Sequence, residues 1–437
     1  MKRPLTKVFF ALLLLYSLFR FGYSVARYNP VVYQPAGWDF YDTYERVGRW
    51  RTTGDYSVTG WETGYAYYPA FYYVLFYPIS ALPFPAVSSL FYFLQFPLFL
   101  AAILLMAKTV THPRAPSAAE LLIAVLLCVN FLPFLETFSE YKVEGIEFFL
   151  ICLLVALWRK KRDGWAGALV VLAANLKYLP GILIGYFLIK RERRALWGMA
   201  AAGGAVLLAL LLTLGPRVVR TYAVEYPFQI LFNPSVCSNE MAVLPEWQTL
   251  SGTVNRWFAP PVMPEEFVRR LLRGIGPVGN PRLAFGVGYT LKLLLLGVYV
   301  AAVRRGPSLP DREKGWPATL MEISLTLLMI PILFMAGRLQ YGILWLPAFV
   351  WTGLLLLRHG SLFPRTVKAL FLAAYALGGM VVPSGLLNRL PPHPVWGQHH
   401  YLMALWLGVP FFGYLALFFC DLWMLRRLRR MPAAAEG

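Results

Sequence analysis

The chain has 437 residues, of which 58% are hydrophobic and only 14% charged, and its mean hydropathy is +0.55. Its apolar runs are continuous and approach the roughly twenty residues that a bilayer core requires, which indicates a polytopic helical membrane protein and argues against a strand-based barrel. The formal charge of +19 would suggest nucleic-acid binding in a soluble protein. Here the basic residues lie in short loops between apolar runs, so they indicate orientation in a membrane and no nucleic-acid partner.

About twelve apolar runs have the length and the flanking charges of transmembrane helices. Together they predict an all-α polytopic membrane protein that forms a single integral-membrane domain over residues 1–437. A complete crossing by the segment 67–83 would move the later basic loops to the opposite face, so we predict a partial or re-entrant element there. The predicted helices lie near 8–28, 87–107, 118–134, 146–158, 164–176, 179–190, 195–214, 283–303, 318–334, 339–357, 366–383 and 401–424.

The positive-inside rule places both termini and the basic loops in the cytoplasm. The segment 215–282 is too long for a turn, and we expect it to form surface helices, whereas the tail 431–437 is expected to be disordered. No N-x-Ser/Thr sequon occurs, which favours a prokaryotic membrane. The extracytoplasmic face then collects 29–66, 135–145, 215–282, the stretch around Arg338 and 384–400.

The first extracytoplasmic segment carries Asp39, Asp42 and Glu45 within WDFYDTYERVGRW. On a helix begun near Trp38, the two aspartates occupy neighbouring positions and Glu45 lies one turn further on. One carboxylate can take a proton from a hydroxyl nucleophile while the other orients it, so Asp39 and Asp42 are candidate catalytic residues. The alternative is a structural role as helix caps.

A second acidic group is formed by Glu136, Glu140, Glu144 and Glu147, whose spacing places them on one face of a single helix. Glu147 lies at the start of an apolar segment, where an ionisable group is costly and therefore indicates a functional site. We expect Glu144 and Glu147 to bind substrate. The alternative is a solvated face with Lys142 nearby.

Cations on the predicted outer side form a third group, in which Lys177, Arg256 and Arg338 are the main candidates. A lipid phosphate at the membrane boundary needs such partners to neutralise its charge. Lys177 is the strongest candidate for a phosphate contact, because it lies between two apolar runs and precedes a proline. For any single cation the alternative is a side chain that only reaches toward the interface.

Aromatic residues crowd the segment 65–73, and Tyr67 is a candidate for sugar stacking, although an interfacial aromatic belt is the default interpretation. The adjacent His399 and His400 point about 100° apart on a helix and have no evident third ligand. Of four cysteines, only Cys237 lies in a loop, so no disulfide framework is visible. We therefore expect no metal and no cofactor.

The order of these motifs resembles glycosyltransferase family 87, the polyprenyl-phosphate-mannose-dependent mannosyltransferases of the GT-C fold. The family's Tyr-x-Tyr-Pro-Pro step is matched except that Ala70 replaces the second proline. Its Gly-Gln-x-Asn helix start corresponds to Glu144-Gly145-Ile146-Glu147, and its late His-Tyr pair corresponds to Gln340-Tyr341. The other matching stretches are Asp39-Phe40, Tyr41 or Tyr44, Gly54-Asp55-Tyr56, Tyr65 to Pro69, Lys177-Tyr178-Leu179-Pro180, Asn233-Pro234-Ser235 and Asn255-Arg256-Trp257.

The resemblance implies an integral-membrane enzyme of the GT-C type that uses a polyprenyl-phosphate sugar donor and a lipid or glycan acceptor, with its active site on the extracytoplasmic side. It implies a lipid-phosphate leaving group, inversion by single displacement and no obligatory metal. Gln340 and Tyr341 join the expected substrate contacts on this basis. The replacements of Gln and His by Glu and Gln fall where sugar or phosphate contacts are expected.

Two alternatives remain open at the level of sequence. A transporter or flippase of lipid-linked sugars also carries intramembrane ionisable residues, but it predicts charges near mid-membrane and an inverted repeat. A polymerase or ligase of lipid-linked glycans shares the logic of the site and differs in its donor. The concentration of carboxylates in loops of one face favours an enzyme.

Overall fold

The computed structural model describes residues 2–27, 38–56, 68–139, 143–220, 248–258, 281–304, 315–334, 339–380, 404–405 and 407–430. Within these ranges every regular element is a helix, and no strand occurs. The all-α class that the continuous apolar runs predict is therefore confirmed for the described part of the chain.

The chain divides into two compact units. Unit 1 comprises Met1–Ile184 with Glu192–Pro227, and unit 2 comprises Gly185–Arg191 with Phe228–Gly437. The helix Ile182–Lys190 contributes residues to both units. The expectation of one domain over 1–437 stays a prediction.

Unit 1 is built around four helices, since α7 packs against both α4 and α8, and α8 in turn packs against α10. The short α3 lies against α8 and α10. The elements are α1 (Lys2–Arg27), α2 (Trp38–Thr53), α3 (Ala70–Phe76), α4 (Phe84–Thr111), α5 (Ala118–Val129), α6 (Leu132–Ser139), α7 (Glu144–Arg159), α8 (Asp163–Leu176) and α10 (Arg193–Arg220), with α9 (Ile182–Lys190) shared with unit 2.

Unit 2 is organised around α13, which is buried along almost its whole length and packs against α15 and α17. The amphipathic α11 packs against α12. The elements are α11 (Leu250–Phe258), α12 (Pro281–Arg304), α13 (Trp316–Leu328), α14 (Ile330–Leu333), a 3₁₀ segment (Leu339–Leu344), α15 (Leu346–Arg358), α16 (Arg365–Gly378) and α17 (Val409–Leu428).

The expected number of crossings is not confirmed. Among the described residues, five helices are long and apolar enough to cross a membrane, and six if the bent pair α5 and α6 counts as one span. This pair bends by 70° where one crossing over 118–134 is predicted. Pro133 explains why the helix restarts, because proline fits the first turn of a helix and not its interior.

Within the segment 67–83, the described residues 68–83 form only the seven-residue α3 and a short 3₁₀ turn, Ile79–Ala81. Proline precedes each of these pieces and also α4, so the backbone is interrupted repeatedly. Seven helical residues reach only about a third of the way across a hydrocarbon core. The expectation of a partial or re-entrant element stays a prediction.

The helices α8 and α10 approach each other closely because glycine lies at their crossing. A Cβ added at Gly167 would lie 2.0 Å from the Ala195 carbonyl oxygen, and one added at Gly198 would lie 2.0 Å from the Gly164 carbonyl oxygen. No side chain larger than hydrogen fits at either position without separating the two backbones.

Gly198→Ala is therefore expected to destabilise the protein by about 3 kcal/mol, the upper part of the range for overpacking, because the opposing atom belongs to a helix backbone and cannot rotate away. The midpoint of thermal unfolding in detergent measures this loss. Gly204→Ala is the matched control. Gly204 lies on the same helix, and a Cβ added there has no atom within 4 Å. Equal midpoints for the two variants would contradict the close crossing.

Candidate active site

Helix α2 places the first acidic segment. It begins at Trp38, as predicted, and its apolar face is fixed by Phe40, whose buried ring lies 5.5 Å from Phe76 and 5.0 Å from Phe91 between ring centroids. The Tyr44 hydroxyl also donates a 2.8 Å hydrogen bond to the Leu82 carbonyl oxygen. These contacts anchor α2 to the segment 76–91.

The carboxylates of α2 differ in their surroundings. Asp42 is part-exposed and accepts a 2.6 Å hydrogen bond from Arg46 Nε one turn further on, and Glu45 is exposed. Asp39 lies in the first turn of the helix, and its side chain is outside the described part of the structure. Asp39 and Asp42 are three positions apart on this helix, and their joint role stays a prediction.

The four glutamates of the second acidic group do not share one helix. Glu136 belongs to α6 and is half-buried, Glu140 lies outside the described residues, and Glu144 and Glu147 form the first turn of α7. The prediction of one common helical face is therefore wrong for Glu136. Glu144 and Glu147, the two that are expected to bind substrate, are completely buried.

Lys177 lies immediately after α8, where the chain becomes extended ahead of Pro180. Its Nζ donates a 2.6 Å hydrogen bond to Glu144 Oε1 and lies 5.2 Å from the centre of the Tyr68 ring. This ion pair is almost completely buried. The ion pair therefore connects the acidic start of α7 to the end of α8, and the Glu144 carboxylate neutralises the positive charge of Lys177.

Glu147 lies within electrostatic range of both Lys177 and Glu144, and Tyr72 lies within range of both glutamates. Tyr72 in turn stacks on Tyr68 at 4.5 Å between ring centroids. We call Glu144, Glu147, Lys177, Tyr68 and Tyr72 the α7 cluster. It combines two carboxylates with one ammonium group in a site that is closed to solvent.

Arg256 is the predicted cation that the structure describes in unit 2. It lies on α11, is 1% exposed, and donates a 3.2 Å hydrogen bond from Nη2 to Thr253 Oγ1. Burial lowers the pKa of Arg256 to about 9, which still leaves the guanidinium charged at neutral pH. On the same helix Trp257 is exposed and packs against Phe412 at 5.5 Å between ring centroids.

Four other predicted contacts are described only in part or not at all. Tyr67 and Arg338 lie outside the described residues. Gln340 and Tyr341 lie in the 3₁₀ segment Leu339–Leu344, where Tyr341 is half-buried and the Gln340 side chain is outside the described part. Their roles remain predictions.

Comparison with known proteins adds one result. The model of glycosyltransferase family 87 matches residues 65–331, which is more than half of the chain. The chain belongs to glycosyltransferase family 87. No curated protein and no solved structure gives a match. As a family 87 member it is a membrane glycosyltransferase, and its substrates are a sugar donor and an acceptor.

The matched range of this family 87 glycosyltransferase contains the α7 cluster and Arg256, whereas α2 precedes it. Within the described residues, no three His, Cys, Asp or Glu side chains lie close enough to hold a metal ion. Cys128, Cys152 and Cys420 are buried and unpaired by disulfides.

Sequence analysis missed two groups of buried polar residues in unit 2 of the family 87 chain. Glu322 on α13 accepts hydrogen bonds from Arg429 at 2.5 Å and Tyr186 at 3.0 Å, and it pairs with Lys190 at 2.8 Å. Asp421 accepts hydrogen bonds from Ser324 and Thr352. Acidic residues inside predicted spans were the available signal, because such residues are costly in a bilayer.

Proposed function

We propose that this family 87 enzyme transfers a hexose from a polyprenyl-phosphate donor to a hydroxyl group of a lipid or glycan acceptor. Membership of the family carries the proposal, and the resemblance of the motifs favours mannose as the hexose. In the reaction the acceptor oxygen bonds to the anomeric carbon, the bond from that carbon to the phosphate oxygen breaks, and the lipid phosphate leaves. A single displacement of this kind inverts the anomeric centre.

Asp39 is proposed as the base that takes the acceptor proton, with Asp42 orienting the acceptor beside it. The leaving lipid phosphate is proposed to be stabilised by Arg256 and Arg338, because buried or interfacial guanidinium groups bind phosphate oxygens strongly. Lys177 is a weaker choice for the phosphate, since its charge already pairs with Glu144. Tyr67, Gln340 and Tyr341 are proposed to contact the substrates.

The charges at the two ends of α7 and α8 support an extracytoplasmic reaction. The Glu144–Lys177 ion pair joins the start of α7 to the end of α8. The basic turn Arg159–Arg162 connects the other two ends of these helices, so it lies one helix length away from the ion pair. The positive-inside rule assigns that turn to the cytoplasm. The α7 cluster then belongs to the opposite face.

Incubation of the purified protein with radiolabelled polyprenyl-phosphate mannose and a membrane lipid extract tests the proposal. Label is expected to move into a new glycolipid that forms only in the presence of the enzyme. Absence of transfer, together with movement of the labelled donor across vesicle membranes, would overturn the proposal in favour of a flippase.

A further inference from the structure

Glu147 has an unusual environment for a carboxylate. It is completely buried, and neither of its carboxylate oxygens has a hydrogen-bond partner. Glu144 Oε2 is also buried without a partner, whereas Glu144 Oε1 receives the Lys177 ammonium group. The α7 cluster therefore presents three buried acceptor oxygens whose hydrogen bonds the described residues do not supply.

Buried carboxylates are normally hydrogen-bonded, because removing them from water without new partners is strongly unfavourable. Asp421 follows this rule within the same protein, since each of its oxygens accepts a hydrogen bond from a hydroxyl group. Glu147 departs from it at the start of α7, in the range that matches the glycosyltransferase family. Such a group is suited to a ligand that brings the hydrogen-bond donors with it.

The charges of the α7 cluster define which ligand fits. The ammonium charge of the α7 cluster, on Lys177, is held between the Glu144 carboxylate and the face of Tyr68, so the cluster offers no uncompensated positive charge to an anionic ligand. A phosphate or a carboxylate would add a further negative charge in a site of low dielectric constant, where repulsion is strong. A neutral group with several hydroxyl donors meets no such repulsion and satisfies the acceptor oxygens.

We infer that Glu147 is a specificity-determining residue that accepts hydrogen bonds from adjacent hydroxyl groups of a neutral hexose, carried by the donor lipid or by a glycan acceptor. The inference rests on the proposed function and assigns the α7 cluster to the sugar, leaving the lipid phosphate to other residues.

The test uses the full-length protein with the additional change Asp39→Asn, so that donor is bound and not consumed. Binding is measured for a short-chain polyprenyl phosphate with mannose, for the same lipid phosphate without sugar, and for octyl mannoside as a stand-in for an acceptor. Glu147→Ala is expected to weaken binding of a mannose-bearing ligand by about tenfold to a hundredfold, the effect of losing hydrogen bonds to a charged group. Affinity for the sugar-free lipid phosphate should not change.

Glu147→Gln tests the chemistry at constant shape, since an amide retains one acceptor oxygen and should lose less sugar affinity than alanine. Asp421→Asn is the matched control, because it alters a buried carboxylate outside the cluster. It is expected to lower the unfolding midpoint without changing the preference for sugar-bearing ligands. A folded Glu147→Ala protein is recognised by a single symmetric peak in size-exclusion chromatography.

The outcomes distinguish the sugar site at Glu147 from the proposed polyprenyl-phosphate donor. A selective loss with the mannose lipid assigns the hydroxyl groups to the donor, and a selective loss with octyl mannoside assigns them to the acceptor. Unchanged binding of every ligand by Glu147→Ala, or an equal loss with and without sugar, would overturn the inference. If wild type binds neither lipid phosphate but binds octyl mannoside through Glu147, the proposed donor is wrong and the sugar site stands.

Discussion

Asp39→Asn is expected to reduce sugar transfer by about a thousandfold while the amount of folded protein in the membrane stays the same. A positioned general base contributes about 10²–10⁴-fold to rate, and an amide cannot accept the proton of the acceptor hydroxyl. Asp39 lies in the first turn of α2, and the buried ring of the adjacent Phe40 fixes that turn. The variant should fold normally because this packing is retained.

Single-turnover transfer of radiolabelled mannose measures the effect at saturating donor. Asp42→Asn is the informative comparison, since Asp42 is part-exposed and already pairs with Arg46. It is expected to reduce transfer by only about tenfold, the effect of a weakened positioning contact. A larger loss for Asp42→Asn than for Asp39→Asn would move the assignment of the base to Asp42.

Glu322→Leu is expected to have the largest effect on stability among the changes considered. The substitution leaves Lys190 and Arg429 without the carboxylate that they share, and breaking a buried pair in this way costs about 3–5 kcal/mol. The same two cations also bond to the last turn of α12, at the carbonyl oxygens of Val303 and Ala302. Loss of Glu322 therefore loosens the ends of several helices in unit 2 together.

The midpoint of thermal unfolding in detergent, followed by size-exclusion chromatography, measures this loss. Arg429→Ala should also lower the midpoint, because it removes one of the two cations. Arg430→Ala is the matched control: the neighbouring arginine is exposed, and substitutions at exposed charges usually have small effects. An unfolding midpoint for Glu322→Leu equal to that of wild type would show that the ion pairs add nothing to stability.

Hydrophobic runs predicted most helix positions closely. The length of a bilayer crossing and the charges that flank it can both be read from a short stretch of sequence. The predicted 146–158 and 164–176, for example, correspond to α7 and α8 within a few residues. The bend between α5 and α6 was not predicted. An apolar run of this kind has the composition of one span, and only Pro133 indicated that its helix is broken.

Candidate site residues could be predicted only where a single ionisable residue lies in an apolar segment, because placing such a group in a membrane costs free energy. Glu147 was found because a carboxylate in an apolar segment is expensive, and the same reasoning should have selected Glu322. The pairing of Lys177 with Glu144 could not be derived, since the two residues are 33 positions apart and only tertiary packing brings α7 and α8 together at these ends.

The Glu322 ion pairs also bear on how the chain is made. Arg429 follows Glu322 by 107 positions, so the second cation emerges from the ribosome long after α13 has entered the bilayer. Until α17 arrives, the nascent protein holds a carboxylate that is only half compensated. The segment that begins with α17 therefore supplies the second cation to Glu322, and a chain truncated before α17 is expected to be less stable than the chain that contains it.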